Sequence, residues 1–306
     1  MISSKYDQHP LSPSTIKRAR EGLRAAQNPA LRKSIAENLQ ELEEIAEGKV
    51  VPRIQGKIRR LVLRGMIHFL FKVKVENPEN IPQTPTILAA NHLNHIDPFL
   101  ILAEVPAFPY YYILGDARSL YNKLWKRLIL NYSGGVIPVE RRWGEEEAVI
   151  EAAKSHYSEL MPLANAIERD VPSQLNIKTL RQINRAISQI FENGDSILLF
   201  PEGRLGKNEG QLILPLKRGT ILYSFRSGIP IVPVALIGTN NLYFRKTLTL
   251  RFGKPLRFPH ISRPKPQERE QGLQQLTEAM TKTLPENYQE PQGIKLFSRI
   301  LNHLFD

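Results

Sequence analysis

The sequence predicts an α/β protein: a mixed, largely buried sheet flanked by helices, with an N-terminal helical extension. Three observations carry this. From Lys72 onward, short apolar runs of strand length alternate with longer helical segments, which is the pattern of a sheet covered by helices. Several of those runs are apolar at every position, as strands buried on both faces must be. Before Lys72 the chain is more polar, and its apolar residues recur at helical spacing.

Residues 1–56 form the expected helical extension. Pro13 and Ser14 precede a basic run from Lys17 to Arg24, and an acidic stretch from Glu41 to Glu47 follows. Leu31, Ile35, Leu39 and Leu42 lie along one helix face, so a helical hairpin packed on the main body is expected. The α/β domain is expected over 57–290. Its candidate strands are 73–75, 86–90, 110–114, 136–139, 196–200, 229–237 and 248–252. Helical segments fall between them near 99–104, 119–130, 145–157, 177–192, 217–226 and 268–282. Over 291–306 an amphipathic helix is expected, with Phe297, Ile300, Leu301, Leu304 and Phe305 on one face. That pattern fits a helix lying in a lipid headgroup layer and a terminal helix docked on its own protein equally well. No repeat or low-complexity tract occurs.

Composition narrows the function classes. With 306 residues, 42% of them hydrophobic, the chain can bury a large core. Having no cysteine, it has no disulfide, no thiolate metal site and no cysteine nucleophile. The opening MISSKYDQHP has no apolar run behind its single lysine, so no secretory signal and a cytoplasmic location are expected. A net charge of +12 calls for an anionic partner, whether phospholipid surface, coenzyme A, acidic carrier protein or nucleic acid. Nucleic acid rests on charge alone, without a reading motif, and is not expected. The most lipid-like stretch, 61–71, is broken by Arg64, Gly65 and His68 and falls short of the ~20 apolar residues that span a bilayer. Membrane contact is therefore expected to be interfacial.

The chemistry concentrates where a candidate strand ends. The apolar run 86–90 leads into Asn91-His92-Leu93-Asn94-His95-Ile96-Asp97-Pro98. In open α/β sheets the C-terminal ends of strands hold ligands, because the loops there project side chains into a crevice over the sheet. A loop folding back over five positions lets the Asp97 carboxylate accept a proton from one imidazole nitrogen of His92 while the other faces a substrate, which makes an oriented general base. Asp97 before Pro98 also reads as a helix N-cap followed by a favourable first helical residue. His92, His95 and Asp97 as metal ligands lack a fourth partner elsewhere, so no metal is expected. Further along, Gly135-Val-Ile-Pro-Val-Glu-Arg141 delivers a guanidinium at a strand end, and Leu199-Phe-Pro-Glu-Gly203 delivers a carboxylate and a glycine. Ile229-Pro-Ile-Val-Pro-Val-Ala-Leu-Ile-Gly238 is another apolar strand.

These four segments, in this order, resemble the glycerolipid acyltransferases, the lysophosphatidate and glycerol-3-phosphate acyltransferases, with their NH-x-x-x-x-D, G-x-I-P-V-x-R, F-P-E-G and I-V-P-V-A blocks. The resemblance covers about 75–238, and Lys217-Arg218-Gly219 matches the basic-basic-glycine step before the last block. Two departures stand out. Where the family reads F-P-E-G-T-R-S, this chain has Arg204-Leu205-Gly206 after Gly203, and 143–176 is a helical insertion that either shapes a pocket or decorates the surface.

What the resemblance implies is direct acyl transfer. His92, oriented by Asp97, would deprotonate an acceptor hydroxyl that attacks the thioester of acyl-CoA or acyl-carrier protein; both are co-substrates, and no cofactor is implied. The absence of cysteine and of a G-x-S-x-G elbow supports attack without an acyl-enzyme. Arg141, Glu202 and Gly203 would bind the acceptor, a lysophospholipid, with Arg204 and Lys217 widening the cationic rim. Peripheral attachment to the cytoplasmic face of a membrane is implied, with 58–71 and the C-terminal helix as candidate anchors, although 58–71 fits a core helix equally well. Rival readings are an acyl-thioester hydrolase and a catalytically idle lipid-binding relative.

Overall fold

The computed structural model describes residues 11–49, 51, 53–173 and 176–305. Residues 1–10 of the expected extension, Val50 and Pro52, Gln174 and Leu175 of the expected insertion, and Asp306 lie outside the described residues. All seven sequence-predicted strands form one sheet: β1 Lys72–Glu76, β2 Ile87–Ala90, β3 Tyr111–Asp116, β4 Val136–Val139, β5 Ser196–Leu199, β6 Ile231–Ile237 and β7 Thr247–Phe252, in the order β1-β7-β6-β2-β5-β3-β4. Strands β2 to β6 run parallel to one another. The strand β7 pairs antiparallel with β6, and β1 runs parallel to β7, so the sheet is mixed.

Strand periodicity sorts the side chains into two cores. Leu88, Ala90, Leu198, Val232, Val234 and Leu236 face one side, whereas Ile87, Ala89, Ile197, Leu199 and Ile231 face the other. This accounts for the uninterrupted apolar runs in β2, β5 and β6, whose residues are all buried. Pro138 is tolerated because β4 is an edge strand, where the missing N–H leaves no ladder bond unmade.

The N-terminal helices α1 (Pro13–Gln27) and α2 (Pro29–Ala46) are joined by one residue. Asn28 donates its N–H to Ala25, and its side chain accepts from the N–H groups of Ala30 and Leu31, so it ends one helix and caps the next. The expected hairpin is not formed as a packed pair. The helix α2 lies against α9 (Ile177–Glu192), whereas α1 lies against α7 (Gly144–Ser155) and α8 (Met161–Asp170). The cause is the placement of apolar residues: Ala19, Leu23 and Ala26 of α1 complete a third core with Val149, Ile150, Ala164 and Ile167 of the insertion.

The remaining helices are α3 (Gly56–Leu70), α4 (Asp97–Glu104), α5 (Ala117–Leu120), α6 (Leu124–Ser133), α10 (Gly219–Ser227), α11 (Pro266–Thr283) and α12 (Ser298–Phe305). The single helix expected at 119–130 is two helices. Asp116 caps the short α5 through the N–H of Ser119, Tyr121 turns inward, and Lys123 is extended at the start of α6. There Lys123 Nζ donates to the carbonyl of His303, and Lys126 Nζ, 2.9 Å from the carbonyl of Phe305, does the same one turn on. The C-terminal helix is shorter than expected because Phe297 takes φ +57° and breaks it. It docks on the body through Leu301 and Phe305, as the docked-helix alternative expects, while Ile300 and Leu304 stay exposed. Among the described residues no helix is long and apolar enough to cross a membrane.

Candidate active site

Because β2 to β6 are parallel, their C-terminal ends share one edge of the sheet, and the sequence-predicted functional segments all start there. The strand β2 is central. Its pairing is prolonged past Ala90 by the Asn91 side chain, which donates to the carbonyl of Leu236 at 3.0 Å and accepts from its N–H at 2.7 Å. That amide copies a peptide group and fixes where the chain leaves the sheet. The next residue is His92.

The loop then folds back as the five-residue spacing suggested. Asp97 Oδ2 accepts from His92 Nδ1 at 2.9 Å and from the N–H groups of Leu93 at 2.7 Å and Asn94 at 2.9 Å. The carboxylate is fully buried, and the His92 side chain keeps 16% of its surface exposed. The N-cap reading of Asp97 is not what the structure shows. The side chain reaches backward to N–H groups preceding it, Ile96 occupies the cap position without a side-chain bond, and Asp97 is the first residue of α4. A carboxylate that satisfies His92 and two loop N–H groups at once cannot also point forward along its helix. Among the described residues the hydrogen bond of the His92 ring is the one at Nδ1, and none is made at Nε2.

Phe200, at the end of β5, stacks on the His92 imidazole with ring centres 4.1 Å apart and planes 22° from parallel. Two residues on, Glu202 Oε1 accepts the backbone N–H of His92 at 2.8 Å, and its Oε2 accepts the N–H of Ile213 at 2.7 Å. Glu202 is 2% exposed. Burial pushes its carboxyl up from the ordinary 4.5, against the two backbone N–H groups and the His92 charge, which pull it down. The Gly206 N–H closes the same loop on the carbonyl of His92 at 2.6 Å.

Arg141 extends from the end of β4 and donates to the carbonyl of Gly203. Gly203 has φ +67°, and a Cβ there would lie 2.8 Å from Arg141 Nη2 and 3.1 Å from Lys217 Cε. A bare glycine is what lets both cationic side chains converge on this turn. Arg141, Gly203 and Lys217 are therefore brought together beside the His92 loop, and Arg204 follows on the same turn, half-buried. Behind Arg141, its own carbonyl accepts from Arg118 Nη2 at 2.6 Å. Arg118 also holds both oxygens of Glu146 at 2.6 and 2.9 Å, an ion pair fully out of water, while Trp143 Nε1 donates to Asp116 at 3.0 Å. The insertion is thus fastened to the strand end that carries Arg141.

His95 does not join His92 and Asp97 in a ligand set. Its ring stands edge-on to that of His92 at 6.1 Å, and burial, with the Lys126 ammonium next, holds it well below the usual 6.5. Among the described residues no group of three His, Cys, Asp or Glu side chains could hold a metal ion. Sequence reasoning missed the roles of Asn91, Phe200, Arg118 and Glu146. The first two lie inside the motifs themselves, but the last two stand 28 positions apart with no local signal linking them.

A family model described as Acyltransferase matches residues 72–237, which include every strand-end segment of this site. A Mycoplasma pneumoniae protein described as "probable 1-acyl-sn-glycerol-3-phosphate acyltransferase" is 25% identical over 188 residues, covering 60% of this chain and 56% of that protein. A Cocos nucifera 1-acyl-sn-glycerol-3-phosphate acyltransferase is 34% identical over 97 residues, 31% of this chain and 30% of its own. This chain thus spans about half, or less, of the length of these curated relatives. The crystal structure of the 1-acyl-sn-glycerophosphate acyltransferase PlsC from Thermotoga maritima aligns over 90% of this chain and 100% of its own at 17% identity, with a TM-score of 0.47. With the matched region spanning more than half of its residues, the chain belongs to the acyltransferase family that this model describes.

Proposed function

We propose that this chain transfers a fatty acyl group from acyl-CoA or acyl-carrier protein to the free hydroxyl of 1-acylglycerol-3-phosphate, forming phosphatidate. The observation that carries this reading is the His92–Asp97 pair, Nδ1 tied and Nε2 open, beside a turn where Arg141 and Lys217 meet. His92 Nε2 takes the hydroxyl proton as the oxygen attacks the thioester carbonyl. The C–S bond breaks, the proton passes from the imidazolium to the departing thiolate, and ester and free thiol result. Asp97 holds the tautomer and neutralises the imidazolium in between. Arg141 and Lys217, with Arg204 behind them, offer the phosphate its counter-charge, the guanidinium by its planar fork.

Because the acceptor is a lipid, the reading includes a phospholipid surface on the cytoplasmic side as partner. Leu61, Val62 and Phe69 of α3, Leu124 and Leu128 of α6, and Ile300 and Leu304 of α12 are exposed. Edge-to-face rings Phe69, Phe244 and Phe297, 6.3 and 6.1 Å between centres, join α3 to the C-terminal segment. Exposed Lys57, Arg245 and Arg299 accompany them, as suits an anionic headgroup layer. The test supplies a labelled oleoyl thioester with 1-acylglycerol-3-phosphate or glycerol-3-phosphate on vesicles. Labelled phosphatidate is expected from the native protein, reduced ~10²- to 10⁴-fold in His92→Ala. Free fatty acid in its place would make the chain a hydrolase, and vesicle binding without turnover would leave an idle lipid-binding relative.

A further inference from the structure

We propose that Glu209 is a positioning residue for the acceptor, tying the turn that carries Arg204 to the loop between β6 and β7, and that the C-terminal helix α12 bears on acceptor affinity through that same loop. This rests on the acyltransfer reading above and goes beyond it, since neither Glu209 nor α12 belongs to a motif of the site. Between Gly206 and Ile213 the chain forms neither helix nor strand, so no ladder of backbone hydrogen bonds fixes its path. Side chains do so instead. Glu209 Oε2 accepts the N–H of Gly238, and Oε1 that of Asn240, both at 2.9 Å. The Asn240 side chain returns the tie by donating to the carbonyl of Lys207 at 2.8 Å. Two of these bonds have a carboxylate as acceptor, and charge-assisted bonds are the strong ones.

The loop that Glu209 grips is itself held by the C-terminal segment. Asn302 of α12 accepts the N–H of Leu242 at 2.9 Å and donates to its carbonyl at 3.0 Å. Asn91 holds Leu236 by the same device, a side-chain amide standing in for a strand neighbour. The Phe244 N–H donates to the carbonyl of Leu296 at 2.9 Å, and Ser298 Oγ and Asn302 Nδ2 both donate to Asn241 Oδ1. Residues 236–244 are thus pinned at one end by Asn91 and at the other by the C-terminal segment. The two N–H groups that Glu209 takes lie between these pins. A shift of α12 moves Leu242, just past Asn240, and with it the footing of the turn where Arg141 and Lys217 meet. Links arranged in series carry a clear signature: cutting either one weakens the acceptor site, and cutting both does little more.

Equilibrium binding of a soluble acceptor, hexanoyl lysophosphatidate, without thioester tests this, with steady-state acyl transfer measured beside it. Glu209→Ala removes both carboxylate ties, and Asn302→Asp keeps the acceptor for Leu242 while losing the donations to Leu242 and Asn241. The first is expected to weaken binding about tenfold and the second about threefold, with kcat within about threefold of native in both. The double variant is expected to bind about tenfold more weakly than native, where independent sites would multiply to roughly thirtyfold. Native affinity in Glu209→Ala, or effects that multiply, would overturn the inference. Native affinity in Asn302→Asp alone would overturn it too, by making Glu209 a direct ligand of the acceptor. Should a variant not fold, hydrogen exchange in the native protein decides: the Gly238, Asn240 and Leu242 amide protons are expected to exchange more slowly with acceptor bound, and an unchanged rate at Leu242 contradicts the coupling. Binding needs no turnover, so coupled effects on affinity without product from any thioester would sink the acyltransfer reading and leave this inference standing. Product formed by variants with independent binding effects would do the reverse.

Discussion

Asp97→Asn removes one charge and nearly no volume, and the structure sets what that costs. The Asp97 carboxylate lies fully out of water, and Oδ2 accepts three hydrogen bonds, from His92 Nδ1 and from the N–H groups of Leu93 and Asn94. An amide oxygen in the same place can still accept from the loop. What disappears is the anion that, in the proposed reaction, faces the imidazolium formed as His92 takes the acceptor proton. With Nδ1 and Oδ2 2.9 Å apart, the charge centres stand ~4 Å from each other, and at an effective dielectric constant of ~20 their attraction is about 4 kcal/mol. At ~1.4 kcal/mol per decade that is roughly 10³-fold in kcat. Three bonds passing from charge-assisted to neutral lose about 1 kcal/mol each, so the folded state is expected to lose about 3 kcal/mol as well. Steady-state acyl transfer to vesicle-borne acceptor measures the first quantity and urea denaturation the second. A variant that keeps kcat within tenfold of native while folding normally would refute the oriented-base argument.

Two other substitutions probe separate parts of the molecule. His95 is held well below 6.5 in the fold, so its neutral form contributes stability that is fully present above pH 6.5 and is lost as pH falls beneath it. Native protein is therefore expected to lose about 1 kcal/mol more than His95→Gln between pH 6.5 and 5.5, read from urea midpoints, and equal losses would contradict the assignment. Gly22→Ala places a methyl group 2.4 Å from Glu146 Oε1 and 2.9 Å from the Trp143 ring, where α1 crosses the buried ion pair. It is expected to cost about 1–3 kcal/mol despite the better helix propensity of alanine, and a thermal midpoint at or above native would show that α1 can yield there.

The strands were legible because burial on both faces leaves an unmistakable run such as 231–237, and the His92–Asp97 pairing was legible because a fold-back over five residues is a local event. What was hidden is non-local. The split at 121–123 depends on Lys123 and Lys126 reaching carbonyls about 180 positions away, and no periodicity records that. The partition of α1 and α2 between different cores depends on where the insertion folds. Glu202 was recognised as a residue of the site, but its two N–H partners, 110 positions upstream and 11 downstream, could not be read from a four-residue motif. The direction of the Asp97 side chain was ambiguous for a different reason: capping a helix and receiving a histidine use the same acceptor chemistry, and only coordinates distinguish forward from backward.

The reversal of β1 and β7 explains why the site draws on five strands and not seven. Their C-terminal ends lie on the far edge of the sheet, while β2 presents His92, β5 presents Phe200 and Glu202, β4 presents Arg141, and β6 lends the Leu236 peptide that anchors Asn91. The fifth, β3, supports the site from behind. It ends in Asp116, which holds Trp143, and leads into α5, where Arg118 binds the Arg141 carbonyl and Glu146 of the insertion. The site therefore has two supports with different footings. His92 is held by hydrogen bonds among β2, β5 and α4, whereas Arg141 is held from behind by a buried ion pair that the insertion completes. Loosening the insertion reaches the second support through the Arg141 carbonyl and through the neighbouring Arg142, whose Nε donates to the carbonyl of Val171 at 3.2 Å. The insertion bears on the side where Arg141 and Lys217 meet, so on the proposed reading its defects are expected in acceptor affinity before they appear in kcat.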